Sequence, residues 1–145
     1  MIDWDYEIVE NSRGPRREFR ITVGLREGYD PEGRVYDLSE ATKAALRWMT
    51  ERAAAGKPYL SGMVTRGEVA YAWRRDDGGV GSDREPVAIF SGEVIPLYMG
   101  GLDDATVEAL LNELAALLGR VLRQERIYIA FRDRVWIVKR KGSPE

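Results

Sequence analysis

The chain contains no cysteine and no histidine. That double absence removes thiolate nucleophiles, Ser-His-Asp relays, iron–sulfur clusters and Cys/His zinc centres from what one chain could assemble. Carboxylates, tyrosines, lysines, arginines, hydroxyls and backbone amides are the working groups left. Long hydrophobic runs are missing as well. The most apolar stretch, Val107 to Leu122, is interrupted by Glu108, Asn112, Glu113 and Arg120, and nothing approaches the ~18 apolar residues of a membrane span. Met1 to Glu7 is acidic, unlike a secretory leader. The resulting expectation is a cytoplasmic protein with no membrane contact, and the lack of cysteine agrees with a reducing compartment.

What is present is the composition of a folded domain. The 145 residues are 44% hydrophobic, 10% aromatic and 32% charged, with a net charge of −2, which excludes a disordered or strongly basic chain. A domain of this length buries roughly 68–70% of its unfolded surface and needs no disulfide or metal staple. One domain over 1–145 is expected. It divides into an N-terminal strand extension at 1–18, a first β-α-β unit over 19–75 and a second over 86–141.

Alternation predicts two strands near the start. Ile2, Trp4, Tyr6 and Ile8 alternate with acids, and Phe19, Ile21, Val23 and Leu25 alternate with polar residues. A turn-rich segment, 10–16, separates them, so a hairpin pairing 2–9 with 17–26 is expected. Asp37-Leu38-Ser39-Glu40 then reads as a helix start, with Trp48 and Met49 facing the core and Gly56 and Pro58 ending the helix. Strand material follows over 59–65 and 69–73, and Arg66-Gly67 between them is either a turn or a bulge. Residues 74–86, rich in Asp and Gly, read as the clearest loop. Another strand region runs 87–99, with a break at Ser91-Gly92. A second helix spans about 103–122, where Val107, Leu110, Leu111, Leu114, Leu117, Leu118, Val121 and Leu122 form one stripe. Residues 126–140 are β-branched and aromatic.

An offset of 66 residues lays Asp37 onto Asp103 and Met63-Val64-Thr65-Arg66 onto Ile129-Ala130-Phe131-Arg132. Internal duplication and chance likeness between two β-α-β units both remain open. Either way the order is β-α-β-β-α-β, the ferredoxin-like or split β-α-β pattern. The expected fold class is α+β, with two helices on one face of a mainly antiparallel sheet and an extra N-terminal strand.

Val94-Ile95-Pro96-Leu97-Tyr98-Met99-Gly100-Gly101-Leu102, the helix after it and Arg126-Ile127-Tyr128-Ile129 resemble the tautomerase superfamily, to which macrophage migration inhibitory factor belongs. The resemblance implies a tautomerase-like duplicated β-α-β fold and a homotrimer formed through sheet edges. That family uses an N-terminal proline as its base, whereas here Met1 is followed by Ile2, so no catalytic position carries over. Ferredoxin-like dimers of the α+β-barrel type fit equally well.

Candidate chemistry is sparse. Asp76, Asp77 and Asp83 lack the alternation of an EF-hand loop and read as a solvated connection, so no metal is expected. Gly100-Gly101 precedes Asp103 and Asp104, which cap a helix and would repel an anion. Asp3, Asp5 and Glu7 share a face, and they read as an outer surface set against Arg16, Arg17 and Arg20. The region from Arg120 to Lys141 holds eight basic residues and two acids. If 126–140 is one strand, Arg126, Tyr128, Arg132, Arg134, Trp136 and Arg140 share a face that could stack bases and follow phosphates. A turn at Arg132-Asp133 would split that face, and its other reading is an edge protected by charge or paired with another subunit. Trp4, Trp48, Trp73, Tyr36, Tyr71 and Tyr98 are core anchors, or line a pocket between sheet and helices.

The leading expectation is therefore a non-catalytic, homo-oligomeric binding or interaction module, dimer or trimer, with no catalytic residue, no cofactor and a small-molecule or nucleic-acid ligand. The alternatives are a small α+β enzyme, tautomerase-like and working with Tyr, Arg and carboxylates, and a nucleic-acid-binding protein that uses the basic C-terminal strand.

Overall fold

The computed structural model describes residues 5–28, 30–99 and 101–143. Among them the elements run β1 (Glu18–Gly24), α1 (Leu38–Ala54), β2 (Met63–Arg74), β3 (Val80–Glu93), α2 (Pro96–Met99), α3 (Asp104–Val121), β4 (Arg126–Phe131) and β5 (Arg134–Lys139). The strands form one antiparallel sheet in the order β2-β3-β1-β4-β5. This is an α+β architecture in which α1 and α3 cover one face.

The most regular alternation, Phe19, Ile21 and Val23, produces the central strand. Those side chains are fully buried against the helices, while Arg20 and Thr22 point the other way. Both edges of β1 are occupied, by β3 and by β4, which leaves no edge for the expected hairpin partner. Residues 5–17 form no strand, and Tyr6 and Ile8 lie in solvent. Ile2 and Trp4 lie outside the described residues. The N-terminal strand extension is thus corrected: a central position in the sheet buries β1 on one face and pairs it on both sides, which a terminal hairpin could not do.

The helices follow their sequence signals. Asp37 accepts from Ser39 N at 3.1 Å and Asp103 from Thr106 N at 2.8 Å, each satisfying an orphan donor of the first turn. Gly56, at φ 71°, closes α1 in the left-handed region. Val107, Leu110, Leu111, Leu114 and Leu118 bury the stripe of α3 against β1 and β4, and Trp48 of α1 donates through Nε1 to Glu113 of α3 at 3.2 Å.

The strands depart from expectation in length. Arg66-Gly67 and Ser91-Gly92 are neither turns nor bulges, since β2 and β3 pair without interruption from Met63↔Ser91 to Arg74↔Val80. The supposed loop at 74–86 shrinks to a turn over 75–79, where Gly78 takes φ 86° and Asp77 accepts from Gly79 N. Tyr71 stacks on Trp73 within β2, and the Trp73 ring lies over Gly81 of β3, a cross-strand contact that follows from 80–86 being a strand. At the other edge the chain does turn at Arg132-Asp133, with Arg132 at φ 56°.

That turn is tied to the start of α3. Asp104 Oδ1 accepts from Arg17 Nε at 3.2 Å and NH2 at 2.7 Å, and Oδ2 accepts from Arg132 NH1 at 2.6 Å. The Arg17 hydrogen bond, aided by Arg132 and opposed by burial, lowers the Asp104 pKa, and bonds from Thr106 lower that of Asp103. A carboxyl whose folded pKa lies below its unfolded value stabilises the fold above the ordinary carboxylate range and loses that contribution as pH falls through the depressed pKa. Thermal melts of Asp104→Asn should therefore lie below wild type at pH 7 and converge with it in acid. Parallel curves down to the lowest pH would show that the cluster contributes nothing.

Candidate functional site

Among the described residues, the aromatic set expected to line one pocket between sheet and helices is dispersed, and of it only Tyr98 lines the pocket described below. Tyr36 and Trp48 are packed into a filled core, Tyr71 and Trp73 lie on the β2–β3 hairpin, and Trp4 is outside the described residues. An open pocket of about 870 Å³ instead lies at one end of the sheet, within the span typical of metabolite sites. Its walls are the segment 58–63 entering β2 and the segment 91–102, which leaves β3 and passes through α2.

Each wall is held by an identifiable contact. Arg52, at the end of α1 and over the Trp48 ring, donates through Nε to the Pro58 carbonyl at 2.6 Å and pairs with Glu113 at 2.9 Å. Leu60 is fully buried beneath the first wall. Two glycines let the walls meet. A Cβ on Gly92 would lie 2.9 Å from Phe19 Cζ and 3.0 Å from the Ser61 carbonyl, and one on Gly62 would lie 2.7 Å from the Ser91 carbonyl. On the second wall, Val94 is buried and its N–H donates to Arg17 O at 2.9 Å, while Met99 packs into the core.

The lining is mostly apolar and aromatic, with Tyr59, Met63, Ile95, Tyr98 and Leu102, plus the hydroxyls of Ser61 and Ser91. Tyr98, 77% exposed, stands at the mouth. Glu93 is the one ionisable carboxyl in the lining, and no Lys or Arg shares it. Glu93 Oε1 accepts from Arg16 Nε at 3.0 Å, and Arg16 also holds Glu18 at 2.8 Å. Gly101 has open space around the position of a Cβ.

The candidates read from the C-terminal strand fall elsewhere and do not share a face. The turn at 132–133 reverses the parity of the alternation. Arg126 and Tyr128 lie on the helix-free face. Arg134 and Trp136 lie on the helical face, where Arg134 pairs with Glu108 at 3.5 Å and Trp136 Nε1 donates to Asn112 Oδ1 at 2.7 Å. Arg132 binds Asp104, and Arg140 pairs with Glu125 at 3.3 Å. Asp83 pairs with Arg26 at 3.5 Å, and among the described residues no group of three or more carboxylates gathers as a metal site. A second cavity of about 60 Å³, beside Glu85, Gln124 and Tyr128, is too small for a metabolite. Burial there raises the Glu85 pKa, opposed by Arg26 and reinforced by Asp83.

No protein-family model matches the chain, and no curated protein matches it. Solved structures do. Its backbone resembles that of a phage SAM lyase. The form in complex with S-methyl-5'-thioadenosine superposes with a TM-score of 0.60 at 17% identity, covering 95% of this chain and 100% of the other. The apo form gives 0.60 at 15% identity with the same coverage. The likeness corrects two expectations. The resemblance to tautomerases rested on a local pattern and a shared element order, whereas the similarity in space runs nearly end to end along a different enzyme. The non-catalytic module falls as the leading reading too, because both matched structures are enzymes.

Of the residues that line the pocket only Tyr98 was expected at one, and the others were missed for a definable reason. Its two walls come from segments far apart in sequence and meet only because β2 lies beside β3. The available signal was the pair of Ser-Gly steps, Ser61-Gly62 and Ser91-Gly92, which are the points of close approach rather than strand breaks.

Proposed function

We propose that this chain is an S-adenosylmethionine lyase that releases S-methyl-5'-thioadenosine, with its site in the pocket between 58–63 and 91–102. The observation that carries the reading is the likeness along 95% of this chain to a SAM lyase holding that thioadenosine. The pocket chemistry supports it. Tyr59 and Tyr98 offer rings for an adenine, and Met63 offers polarisable surface for the methylthio end. Glu93 supplies negative charge opposite a substrate that carries both a sulfonium and an ammonium.

In this reaction the bond between the sulfonium sulfur and Cγ of the aminobutyrate arm breaks, and its electron pair returns to sulfur, giving a neutral thioether. Cγ must then gain a bond. Either the substrate's own carboxylate oxygen closes on it to form a five-membered lactone, or a base takes a Cβ proton and the arm leaves as an unsaturated amino acid. The lining holds no Lys, the chain has no His or Cys, and Glu93 is engaged by Arg16. The internal carboxylate needs no protein base, only an arm folded back and shielded from water, so lactone formation is the route these residues support.

Incubation with S-adenosylmethionine, followed by chromatography and mass spectrometry, tests both statements. S-Methyl-5'-thioadenosine with homoserine lactone, or the homoserine it hydrolyses to, is the expected outcome. An unsaturated amino acid would retain the lyase and overturn the internal-carboxylate route. No thioadenosine above the enzyme-free control would overturn the lyase.

The order β-α-β-β-α-β up to β4 supports a ferredoxin-like sheet with β5 appended. The matching caps at Asp37 and Asp103 support an internal repeat.

A further inference from the structure

Two side chains meet over Gly24, the last residue of β1. A Cβ there would collide with Glu85 Oε1 from β3 and equally with Gln124 Oε1 from the connection between α3 and β4. Two acceptor oxygens therefore face one point. The amide cannot turn to offer its nitrogen instead. Gln124 Nε2 is fixed by donating to Arg26 O at 2.7 Å and to Leu122 O at 2.9 Å, and a carbonyl only accepts.

The charged groups around the pair are committed elsewhere. Arg26 donates to Asp83 at 3.5 Å and to Arg84 O at 2.9 Å, Arg123 pairs with Glu27 at 3.8 Å, and Glu125 pairs with Arg140 at 3.3 Å. Arg126 and Tyr128 of β4 line the small cavity alongside. Among the described residues no hydrogen bond or ion pair reaches the Glu85 carboxyl. An ionised Glu85 would thus set its charge against an amide oxygen in a half-buried place, whereas a carboxylic acid donates its O–H to that oxygen. Burial raises the Glu85 pKa in the same sense, opposed by Arg26 and reinforced by Asp83.

We infer that Glu85 and Gln124 share a proton and form a pH-operated clip between β3 and the α3–β4 connection. With the proton in place Glu85 donates to Gln124 Oε1, and Gln124 carries the tie on to the end of β1 through Nε2 and Arg26 O. Loss of the proton leaves two acceptors opposed, and the connection is released from Glu85. The proposal does not rest on the lyase reading, and its test needs no substrate.

Carbon-13 NMR of the side-chain carboxyls reads the proton directly. The Glu85 signal, assigned by its loss in Glu85→Gln, should titrate above the exposed glutamates. Gln124→Leu removes the accepting oxygen and keeps the bulk, so it should bring that midpoint down. Thermal melts give an independent reading. A raised folded pKa contributes stability that is full below the unfolded value and is lost as pH rises through the folded one. Glu85→Gln keeps a donor for Gln124 at every pH. It should match wild type below about pH 4 and melt about 2 °C or more above it at about pH 8. A Glu85 midpoint at or below that of the exposed glutamates would overturn the proposal. So would a midpoint that Gln124→Leu leaves unchanged or raises, which is the mark of burial alone. Should Gln124→Leu fail to fold, the melts decide, and a Glu85→Gln curve parallel to wild type at every pH would overturn the clip.

Discussion

Glu93→Gln should raise the KM for S-adenosylmethionine by about ten- to a hundredfold and leave kcat within about twofold. The magnitude is that of losing one charge-assisted contact, about 1.5–3 kcal/mol, at about 1.4 kcal/mol per factor of ten. The split between KM and kcat follows from where charge changes. The sulfonium is positive in the bound substrate and neutral in the product, so a carboxylate facing the sulfur would favour the ground state and its removal would raise kcat. Glu93 lies at the Arg16 side of the pocket, its Oε1 already shared with that guanidinium, which suits the substrate ammonium, whose charge persists throughout. Uniform binding lost in this way shows in KM alone. Folding should be unaffected, because Arg16 is exposed, keeps Glu18, and solvent-screened surface pairs of this kind contribute little. Steady-state kinetics on the purified variant decide the matter. An unchanged KM would remove Glu93 from the site, and a raised kcat would move it beside the sulfur.

What was legible in the sequence was whatever depends on neighbours along the chain. Asp37 and Asp103 cap helices because an Asp before an apolar period satisfies the first-turn donors from two or three residues away. The α3 stripe and the alternation of β1 are local periodicities of the same kind. Pairing partners were not legible. The alternation of Ile2 to Ile8 suggested a hairpin because nothing in 17–26 discloses that β3 and β4 take both edges of β1. Gly67 and Gly92 looked like breaks, yet within a paired strand a glycine also permits a close approach, as Gly92 does beneath Ser61. A single turn at Arg132-Asp133 was enough to separate the six C-terminal candidates, since one change of parity moves every later side chain to the other face. The absence of His and Cys bears on chemistry more directly than on function. It excludes the usual bases and nucleophiles, and on the proposed lyase reading the substrate carries its own nucleophile and leaving group and needs neither.

The row of aromatic side chains under the pocket gives the largest expected effect on stability. Phe131 is fully buried, pairs across β4–β1 with Phe19 and carries the Arg17 guanidinium 5.9 Å from its ring centroid. Phe19 in turn stacks on Phe90 at 5.8 Å and sits directly beneath Gly92. Phe131→Ala should cost about 3–5 kcal/mol from lost transfer energy and the cavity left behind. At about 2–4 °C per kcal/mol for a domain of this size, Tm should fall by roughly 6–20 °C. Phe131→Leu fills most of the space and should recover the greater part of that loss. The ring of Phe19 supports the end of β3 where the two pocket walls meet, so a cavity beside it frees that support to shift. The alanine variant should accordingly bind S-methyl-5'-thioadenosine more weakly even at temperatures where it is fully folded. Calorimetry of wild type and both variants, with and without the thioadenosine, separates the two effects. A Tm within about 3 °C of wild type for the alanine variant would show that the site collapses without a cavity. Full stability loss with unchanged thioadenosine affinity would show that Phe19 supports the sheet but not the pocket.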